Sequence, residues 1–378
     1  MLSKEENERL ARVGPGTPCG ELMRRYWWPV RFSDDVQGRR PTRVRLLGEE
    51  FVLFRDGTGQ LGLLEPTCAH RRTALANGRV EAGGVRCCYH GWLFAADGRC
   101  LEQPAERPEN TFKDRVRLRF YPVQEVAGLV WAFVGPEPAP LLPKWDLLCH
   151  EDGRKYVWGF MEYCNWLQSY ENACDMTHLN WLHAAAYPAY AAQHPEIIWE
   201  RFPYGLEYTV CDPNLPEENL GQQLFPTITR FASARVEQGP RQNLIWRVPV
   251  DDTHTLNLLL SFWPDGQPQG PLPVRWKDNQ PGIYDQQDDD WWGVESMDQD
   301  RMAVEGQGPI TDRSIEHLAA SDRGVTLYRE LLREAIAAVE AGRDPPNVFR
   351  DPDQHGIVEL NTHMFGFTPP LKPLAGVS

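Results

Sequence analysis

The chain has 378 residues, of which 39 are basic and 53 acidic, giving a formal net charge of −14. At about 100 to 200 residues per domain, this length predicts two domains, each with its own core. The acidic balance argues against a nucleic-acid or anionic-membrane surface, because both require clustered Lys and Arg.

The N-terminus has no apolar stretch of the kind found in signal sequences, and no window approaches the ~18 apolar residues of a membrane span. Nine scattered cysteines indicate thiols or metal ligands rather than a disulfide framework. We therefore expect a cytoplasmic protein.

Residues 1–143 are predicted to form N-terminal helices and a small all-β domain. Ser3-Lys4-Glu5-Glu6 has the form of a capping box that opens a short helix, and Glu21 to Trp27 predicts a second helix. From Thr42 to Val134, short β-rich runs alternate with Asp-Gly and Gly-Gly turn sequences. Closely spaced prolines between positions 136 and 143 then mark a linker, because they disfavour both helix and central strand.

Residues 144–378 are predicted to form a second domain of mixed helices and strands, so the fold class is α+β. A helical segment is expected around 165 to 185, and Leu256 to Phe262 is expected to be a strand. Near the end, apolar residues recur at helical spacing before Pro345-Pro346, which predicts a C-terminal helix.

The β-rich region contains two short motifs of cysteine and histidine. Cys68-Ala69-His70 and Cys87-Cys88-Tyr89-His90 are separated by sixteen residues. Two thiolates can hold one iron of a [2Fe-2S] cluster while two imidazoles hold the other. The alternative is a structural zinc site, but C-x-H followed by C-x-x-H departs from zinc-finger spacing.

The second domain contains a histidine pair with a carboxylate before it. Asp175 and His178, three residues apart, would share one helix face, whereas His178 and His183 would lie ~140° apart on a regular helix. A metal that binds both histidines needs a local irregularity, such as a π-bulge. Taken alone, two histidines among aromatic residues are more often core or surface residues than ligands.

Together, these motifs resemble those of the Rieske non-heme iron oxygenases, in the phthalate 4,5-dioxygenase and aromatic O-demethylase branch. Arg24-Arg25-Tyr26-Trp27 and the Gly91-Trp92 pair after His90 also match the family. The resemblance implies an N-terminal Rieske [2Fe-2S] domain joined to a helix-grip catalytic domain, in which an antiparallel sheet wraps around a long helix. It also implies a homotrimer or a dimer of trimers.

The resemblance implies roles for individual residues. Cys68, His70, Cys87 and His90 would hold the cluster, and His178, His183 and a later aspartate would bind mononuclear iron(II). The candidates for that aspartate are Asp285, Asp288, Asp289, Asp290, Asp298, Asp300 and Asp312. We choose Asp300, within a Gln-Asp element like that of the family, with Asp298 second. Asp175 would bridge His178 to His90 of a neighbouring subunit without binding metal itself.

The implied function is the terminal oxygenase of a multicomponent system in aromatic catabolism. An NADH-dependent reductase would supply electrons, and O2 would be the co-substrate. The substrate would be a small aromatic compound, such as an aromatic acid that undergoes ring dihydroxylation or O-demethylation. The alternatives are a Rieske-type electron carrier with a binding domain and an oxygenase of a non-aromatic amine.

Substrate-binding residues are less clearly indicated by the sequence. Five aromatic residues around the histidine motif are candidates for an aromatic pocket, although core packing explains them equally well: Trp158, Tyr163, Trp166, Tyr187 and Tyr190. An aromatic acid requires a cation for its carboxylate, and Arg230, Arg235 and Arg247 are the candidates.

Overall fold

The computed structural model describes residues 1–184, 196–211, 219–233, 239–268, 270–277, 296–360 and 362. The chain divides into a small unit, Arg24–Ala139, and a large unit formed by Met1–Met23 with Pro140–Ser378. The small unit is built from β-strands and the large unit mixes a sheet with helices, so the predicted α+β class is confirmed. In the described part of the chain, no helix is both long and apolar enough to cross a bilayer.

The small unit contains three antiparallel sheets. The first pairs β1 (Trp27–Phe32) and β10 (Val123–Val126) on either side of β11 (Leu129–Phe133). The second runs through β2 (Thr42–Leu46), β3 (Glu49–Arg55), β4 (Leu61–Leu64) and β9 (Phe120–Tyr121). The third runs through β5 (Arg79–Glu81), β6 (Gly84–Arg86), β7 (Leu93–Phe94) and β8 (Cys100–Glu102).

The large unit is organised around one sheet of eight strands in the order β13-β14-β15-β16-β17-β18-β12-β19. Its strands are β12 (Gly153–Glu162), β13 (Glu196–Phe202), β14 (Gly205–Cys211), β15 (Asn219–Leu224), β16 (Ile228–Ser233), β17 (Arg241–Asp251), β18 (His254–Pro264) and β19 (Trp276–Lys277). All neighbours are antiparallel except β12 and β19.

The helices are α1 (Lys4–Ala11), α2 (Pro18–Met23), α3 (Asp146–Cys149), α4 (Trp166–Ala173), α5 (Ser296–Glu305) and α6 (Arg323–Glu340). The longest, α6, packs against β13 and β14, which fits the expected arrangement of a sheet with a long helix. Asn165 caps α4, because its side chain accepts a hydrogen bond from the Leu167 N–H.

One face of the large sheet, here called the inner face, carries an apolar patch. Side chains alternate across a strand, so opposite residues on neighbouring strands share a face. Trp158 and Ile245 both lie opposite Leu259, and these residues form a buried cluster with Phe160. Met297 of α5 packs against the cluster, so α5 lies on the inner face.

The first residues of the chain belong to a different unit from the one predicted, which placed all of 1–143 in the small domain. Met1–Met23 belongs to the large unit, because α1 and α2 pack on α4 and α6. The capping of α1 by Ser3 is confirmed, since its hydroxyl accepts from the Glu6 N–H. The second predicted helix, Glu21 to Trp27, is present with different bounds: α2 ends at Met23, and Trp27 already pairs with Phe133 at the start of β1.

Two candidate metal centres

The two cysteine-histidine motifs lie on two loops of the small unit that have the same backbone form. The Cys68 N–H donates to the Thr73 carbonyl, and the Arg72 N–H donates back to Cys68. In the second loop the Cys87 N–H donates to the Trp92 carbonyl, and the Gly91 N–H donates back to Cys87. Each loop therefore closes around its cysteine.

A left-handed residue allows each loop to turn four positions after its cysteine. Arg72 has φ 60° and Gly91 has φ 73°. Glycine adopts this conformation at little cost, which explains its position after His90. The sequence does not predict the left-handed conformation of Arg72, because arginine, unlike glycine, has no preference for it.

The four side chains of this centre converge from the two loops. Cys68 and Cys87 are buried. Burial, and to a smaller extent the nearby Cys87, raises the pKa of the Cys68 thiol to about 11. The His70 and His90 rings lie 4.4 Å apart between centroids, nearer the surface. Cys88, in contrast, is exposed. Two buried thiols with two paired imidazoles are the donor set that a Rieske cluster needs.

The other centre lies in the large unit and joins residues that are distant in sequence. His178, His183 and Asp300 each offer a ligand atom, and these atoms all lie within 4.8 Å of one another. Asp300 Oδ1 lies 3.0 Å from His183 Nε2 and 3.5 Å from His178 Nε2. Two imidazoles and one carboxylate on one side of a site match the facial triad of non-heme iron(II) enzymes.

The local chain path explains how both histidines reach one point. Helix α4 ends at Ala173, and a 3₁₀ turn follows at Thr177–Asn180. The His178 carbonyl accepts from the Leu182 N–H, so the chain turns again before His183. The helical segment expected around 165 to 185 is therefore interrupted after Ala173 in the part that the structure describes, which runs to 184. The irregularity that a shared metal requires is present, although as a 3₁₀ turn rather than a π-bulge.

Polar neighbours hold the triad in a defined orientation. Gln299 Oε1 accepts from His183 Nδ1 at 2.7 Å, so His183 Nε2 is the nitrogen that faces Asp300, at 3.0 Å, and that a metal would bind. The Asn172 amide donates to Asp300 at 3.2 Å. The sequence did not predict these contacts of Gln299 and Asn172. Both residues lie inside the motifs, but a motif does not show which way a side chain points.

The ionisation of Asp300 suits a metal ligand. Burial alone raises its pKa, but the hydrogen bond with His183, the charges of His178 and His183, and the Asn172 amide lower it by more. The net pKa lies below the ordinary value, so Asp300 is a carboxylate at neutral pH.

Asp175 lies beside His178 but not on a helix with it. One carboxylate oxygen accepts from the Thr177 N–H and hydroxyl at 2.8 and 2.5 Å. The other oxygen lies 4.0 Å from His178 Nδ1, a buried nitrogen with no hydrogen-bond partner in the described chain. This carboxylate therefore faces the side of His178 away from Asp300.

The other aspartates considered as the third iron ligand either contact different residues or lie outside the described residues. Asp298 lies 3.5 Å from Lys277 Nζ and 3.8 Å from Arg301. Asp312 accepts from the Ser314 N–H in an exposed turn. Outside the described residues are Asp285, Asp288, Asp289 and Asp290.

The predicted pocket aromatics separate into different environments. Trp158 lies in the inner-face patch. Trp166 is fully buried and donates to the Ala11 carbonyl, while Tyr163 contacts the His254 ring. Tyr187 and Tyr190 lie outside the described residues. Trp158 is thus the described candidate that lies on the face covered by α5.

The three candidate arginines are also distinguished by the structure. Arg230 is fully buried on the opposite face of the sheet and forms an ion pair with Asp146 at 3.0 Å. Arg247 lies on the inner face, 8% exposed, and donates to the Thr229 hydroxyl. Arg235 lies outside the described residues.

Comparison with known proteins connects this geometry to a family. The family model of the Rieske [2Fe-2S] domain matches residues 26–122. The 5,5'-dehydrodivanillate O-demethylase oxygenase subunit of Sphingobium sp. (strain NBRC 103272 / SYK-6) is 36% identical, over 96% of this chain and 87% of that protein. The phenoxybenzoate dioxygenase subunit alpha of Ectopseudomonas oleovorans is also 36% identical, over 90% of this chain and 87% of that protein.

A solved structure has the same fold. Pseudomonas putida CBB5 NdmA QL mutant with theobromine superposes with a TM-score of 0.68 at 20% identity, over 85% of this chain and 93% of that one. The predicted arrangement of a Rieske β domain and a large antiparallel-sheet domain is therefore confirmed.

Proposed function

The chain belongs to the Rieske non-heme iron oxygenases as an oxygenase component, and from this premise we propose that it hydroxylates an aromatic acid with O2 and NADH-derived electrons. Its cofactors are a [2Fe-2S] cluster and mononuclear iron. Membership of this family excludes the alternative that the protein is only an electron carrier.

The residues proposed for each metal follow from the two centres. Cys68, His70, Cys87 and His90 would hold the cluster, and His178, His183 and Asp300 would hold mononuclear iron. When bound by such a triad, iron(II) keeps open positions for dioxygen. The side chain of Gln299 would keep the proton on His183 Nδ1, so that Nε2 is available to the metal.

The closeness of the three proposed iron ligands is the observation that carries this proposal. Their donor atoms come from two distant segments and lie within 4.8 Å of one another. A structural role alone does not require two imidazoles to face one half-buried carboxylate whose pKa is lowered.

The proposed partners follow from the reaction. An NADH-dependent reductase would deliver electrons in the cytoplasm, and a homotrimer or a dimer of trimers is the proposed assembly. In that assembly Asp175 would link His178 to the cluster of a neighbouring subunit.

The proposed substrate class is an aromatic acid. The apolar patch of Trp158, Phe160, Ile245 and Leu259 suits a ring, and Arg247 on the same face supplies a cation. The names of the two relatives, a dehydrodivanillate demethylase and a phenoxybenzoate dioxygenase, support an acid. A buried guanidinium beside the patch disfavours a quaternary amine, because like charges repel.

Product analysis tests the function. The purified protein, with a Rieske-oxygenase reductase, NADH and O2, is given benzoates, phthalates, methoxybenzoates and a quaternary amine. We expect hydroxylated product or formaldehyde from an acid, and Arg247→Met should raise the KM for that acid about tenfold or more, with a smaller change in kcat. Turnover of the amine alone would contradict the proposed substrate class.

A further inference from the structure

One face of the His70 ring is covered by an aromatic side chain from the other cysteine-histidine loop. The Trp92 ring stacks on it, with the centroids 4.5 Å apart and the two planes within 5° of parallel. The rest of His70 is exposed, apart from the contact of its ring with that of His90 at 4.4 Å. His70 lies on the first loop and Trp92 ends the second, so the stack joins the two loops.

The His70 side chain forms no hydrogen bond within the described part of the chain. A metal-bound histidine usually donates its free ring N–H to a carboxylate or carbonyl oxygen, which fixes the orientation of the ring. His183 of the other centre has such a partner in Gln299. For His70, the stacked indole of Trp92 takes this orienting place.

Trp92 is itself held firmly enough to fix another ring. It is 7% exposed and packs in the buried core of the small unit with both cysteines of the centre. Its carbonyl accepts from the Cys87 N–H at 2.8 Å. The rings of Phe94 and Phe112 both lie 6.4 Å from the indole, at interplanar angles of 44° and 73°. The indole therefore cannot turn without disturbing this core.

The stack favours the oxidised state of a cluster bound through His70. The face of an indole is electron-rich and attracts positive charge, and an imidazole bound to iron carries part of the charge of the metal. Reduction adds one electron and so weakens this attraction.

The covering of one ring face acts in the same direction. Two iron(III) ions, two sulfides and two thiolates sum to zero charge, so the reduced cluster carries one negative charge. The indole replaces water on that face, and loss of water disfavours the charged form. Both effects lower the reduction potential, which in iron–sulfur proteins depends on the surroundings of the ligands.

We propose that Trp92 is a positioning residue of the Rieske centre, which fixes the ring plane of His70 and lowers the reduction potential of the cluster. The inference deepens the proposed function, because it rests on His70 as a cluster ligand. Its consequence is a larger driving force for electron transfer from the reduced cluster to the mononuclear iron.

A redox titration of the intact oxygenase tests this inference. Trp92→Leu keeps an apolar side chain in the core but removes the aromatic face. At a fixed pH, we expect its one-electron reduction equilibrium to shift towards the reduced cluster by about tenfold, which corresponds to a potential about 59 mV more positive. The electron paramagnetic resonance signal of the reduced protein should remain of Rieske type with altered g values, because His70 is free to turn. Trp92→Phe keeps a smaller aromatic face and should shift the potential by less.

Trp27→Leu is the matched control. Trp27 is in the small unit and 6% exposed, and its ring packs on that of Phe133 at 5.7 Å, in the first of the three sheets. The variant makes the same substitution at a tryptophan of similar burial outside the two loops. It should keep the wild-type potential and g values, whatever stability it loses.

The outcomes distinguish the inference from the proposed function. If the wild type contains the cluster, then an unchanged or more negative potential in Trp92→Leu, or an equal shift in Trp27→Leu, contradicts the role of Trp92 and leaves the proposed function standing. Loss of the cluster from both Trp92 variants would assign the residue to assembly and overturn its effect on the potential. If the wild type shows no Rieske signal, the proposed function is contradicted and the inference fails with it.

Discussion

Two aspartates of α5 face different neighbours because of helix geometry. Asp298 and Asp300 are two positions apart, so their side chains point ~200° apart around the helix axis. Asp300 faces the two histidines, while Asp298 faces Lys277. The sequence identifies both aspartates as candidates for the third iron ligand. Spacing alone does not choose between them, because the choice depends on which side of α5 packs on the histidines.

Substitution of the two aspartates tests this assignment. Asp300→Ala should lose mononuclear iron and turnover while it keeps the cluster spectrum, because a ligand is removed from one centre only. Asp298→Ala is the matched control and should retain both. Metal analysis and visible spectroscopy measure the two results, and the reverse pattern would assign Asp298 as the ligand.

Asp175 is predicted to act in electron transfer rather than metal binding. Asp175→Asn keeps an oxygen for Thr177 but removes the charge that faces His178. Both metals should remain, whereas reoxidation of the reduced cluster by O2 with substrate should slow by about 10- to 100-fold. Stopped-flow absorbance measures this rate. An unchanged rate with full iron content would mean that Asp175 only shapes the turn.

At the scale of elements, the histidine segment shows where a sequence pattern is insufficient. The spacing of His178 and His183 indicates that a regular helix could not bring both side chains to one metal, and in the structure α4 ends before them, at Ala173. The form of the irregularity depends on hydrogen bonds, such as that of Leu182 to the His178 carbonyl, which propensity does not determine. The strand and helix of the C-terminal half were predictable, because Leu256 to Phe262 is a short, mostly apolar run and the apolar residues of α6 recur at helical spacing.

A buried ion-pair network holds α4 to its neighbours. Glu171 on α4 accepts from Arg313 at 2.7 Å and from Arg329 of α6 at 2.6 Å. Arg313 also donates to Asn7 of α1. Burial raises the pKa of Glu171, but the two arginines lower it by more, so the net pKa is below the ordinary value. Its stabilising contribution is therefore present above the ordinary pKa and is lost as the pH falls through the lowered value.

Glu171→Gln should destabilise the large unit by about 3 to 5 kcal/mol at neutral pH, because the buried Arg313 loses its carboxylate partner, although Arg329 keeps Glu316. Chemical denaturation followed by far-UV circular dichroism measures the change. Glu340→Gln removes the exposed partner of Arg9 and should cost less than about 1 kcal/mol. Equal costs for both variants would contradict the structural role of the network.

At the scale of the whole molecule, the two-part organisation was predictable but one assignment was not. The prolines near 140 and the change from β-rich to mixed patterns indicate the division. The sequence alone does not show that α1 and α2 belong with the large unit, because long-range bonds such as Asn7 to Thr311 decide it.

The central claim is that one chain carries two separate iron centres. Iron analysis with electron paramagnetic resonance of wild type and His183→Ala tests it most directly. The account predicts three irons per wild-type chain and two in the variant, with the same Rieske-type signal in both after reduction. Two irons in the wild-type chain, zinc in place of the cluster, or loss of the Rieske signal in the variant would contradict it.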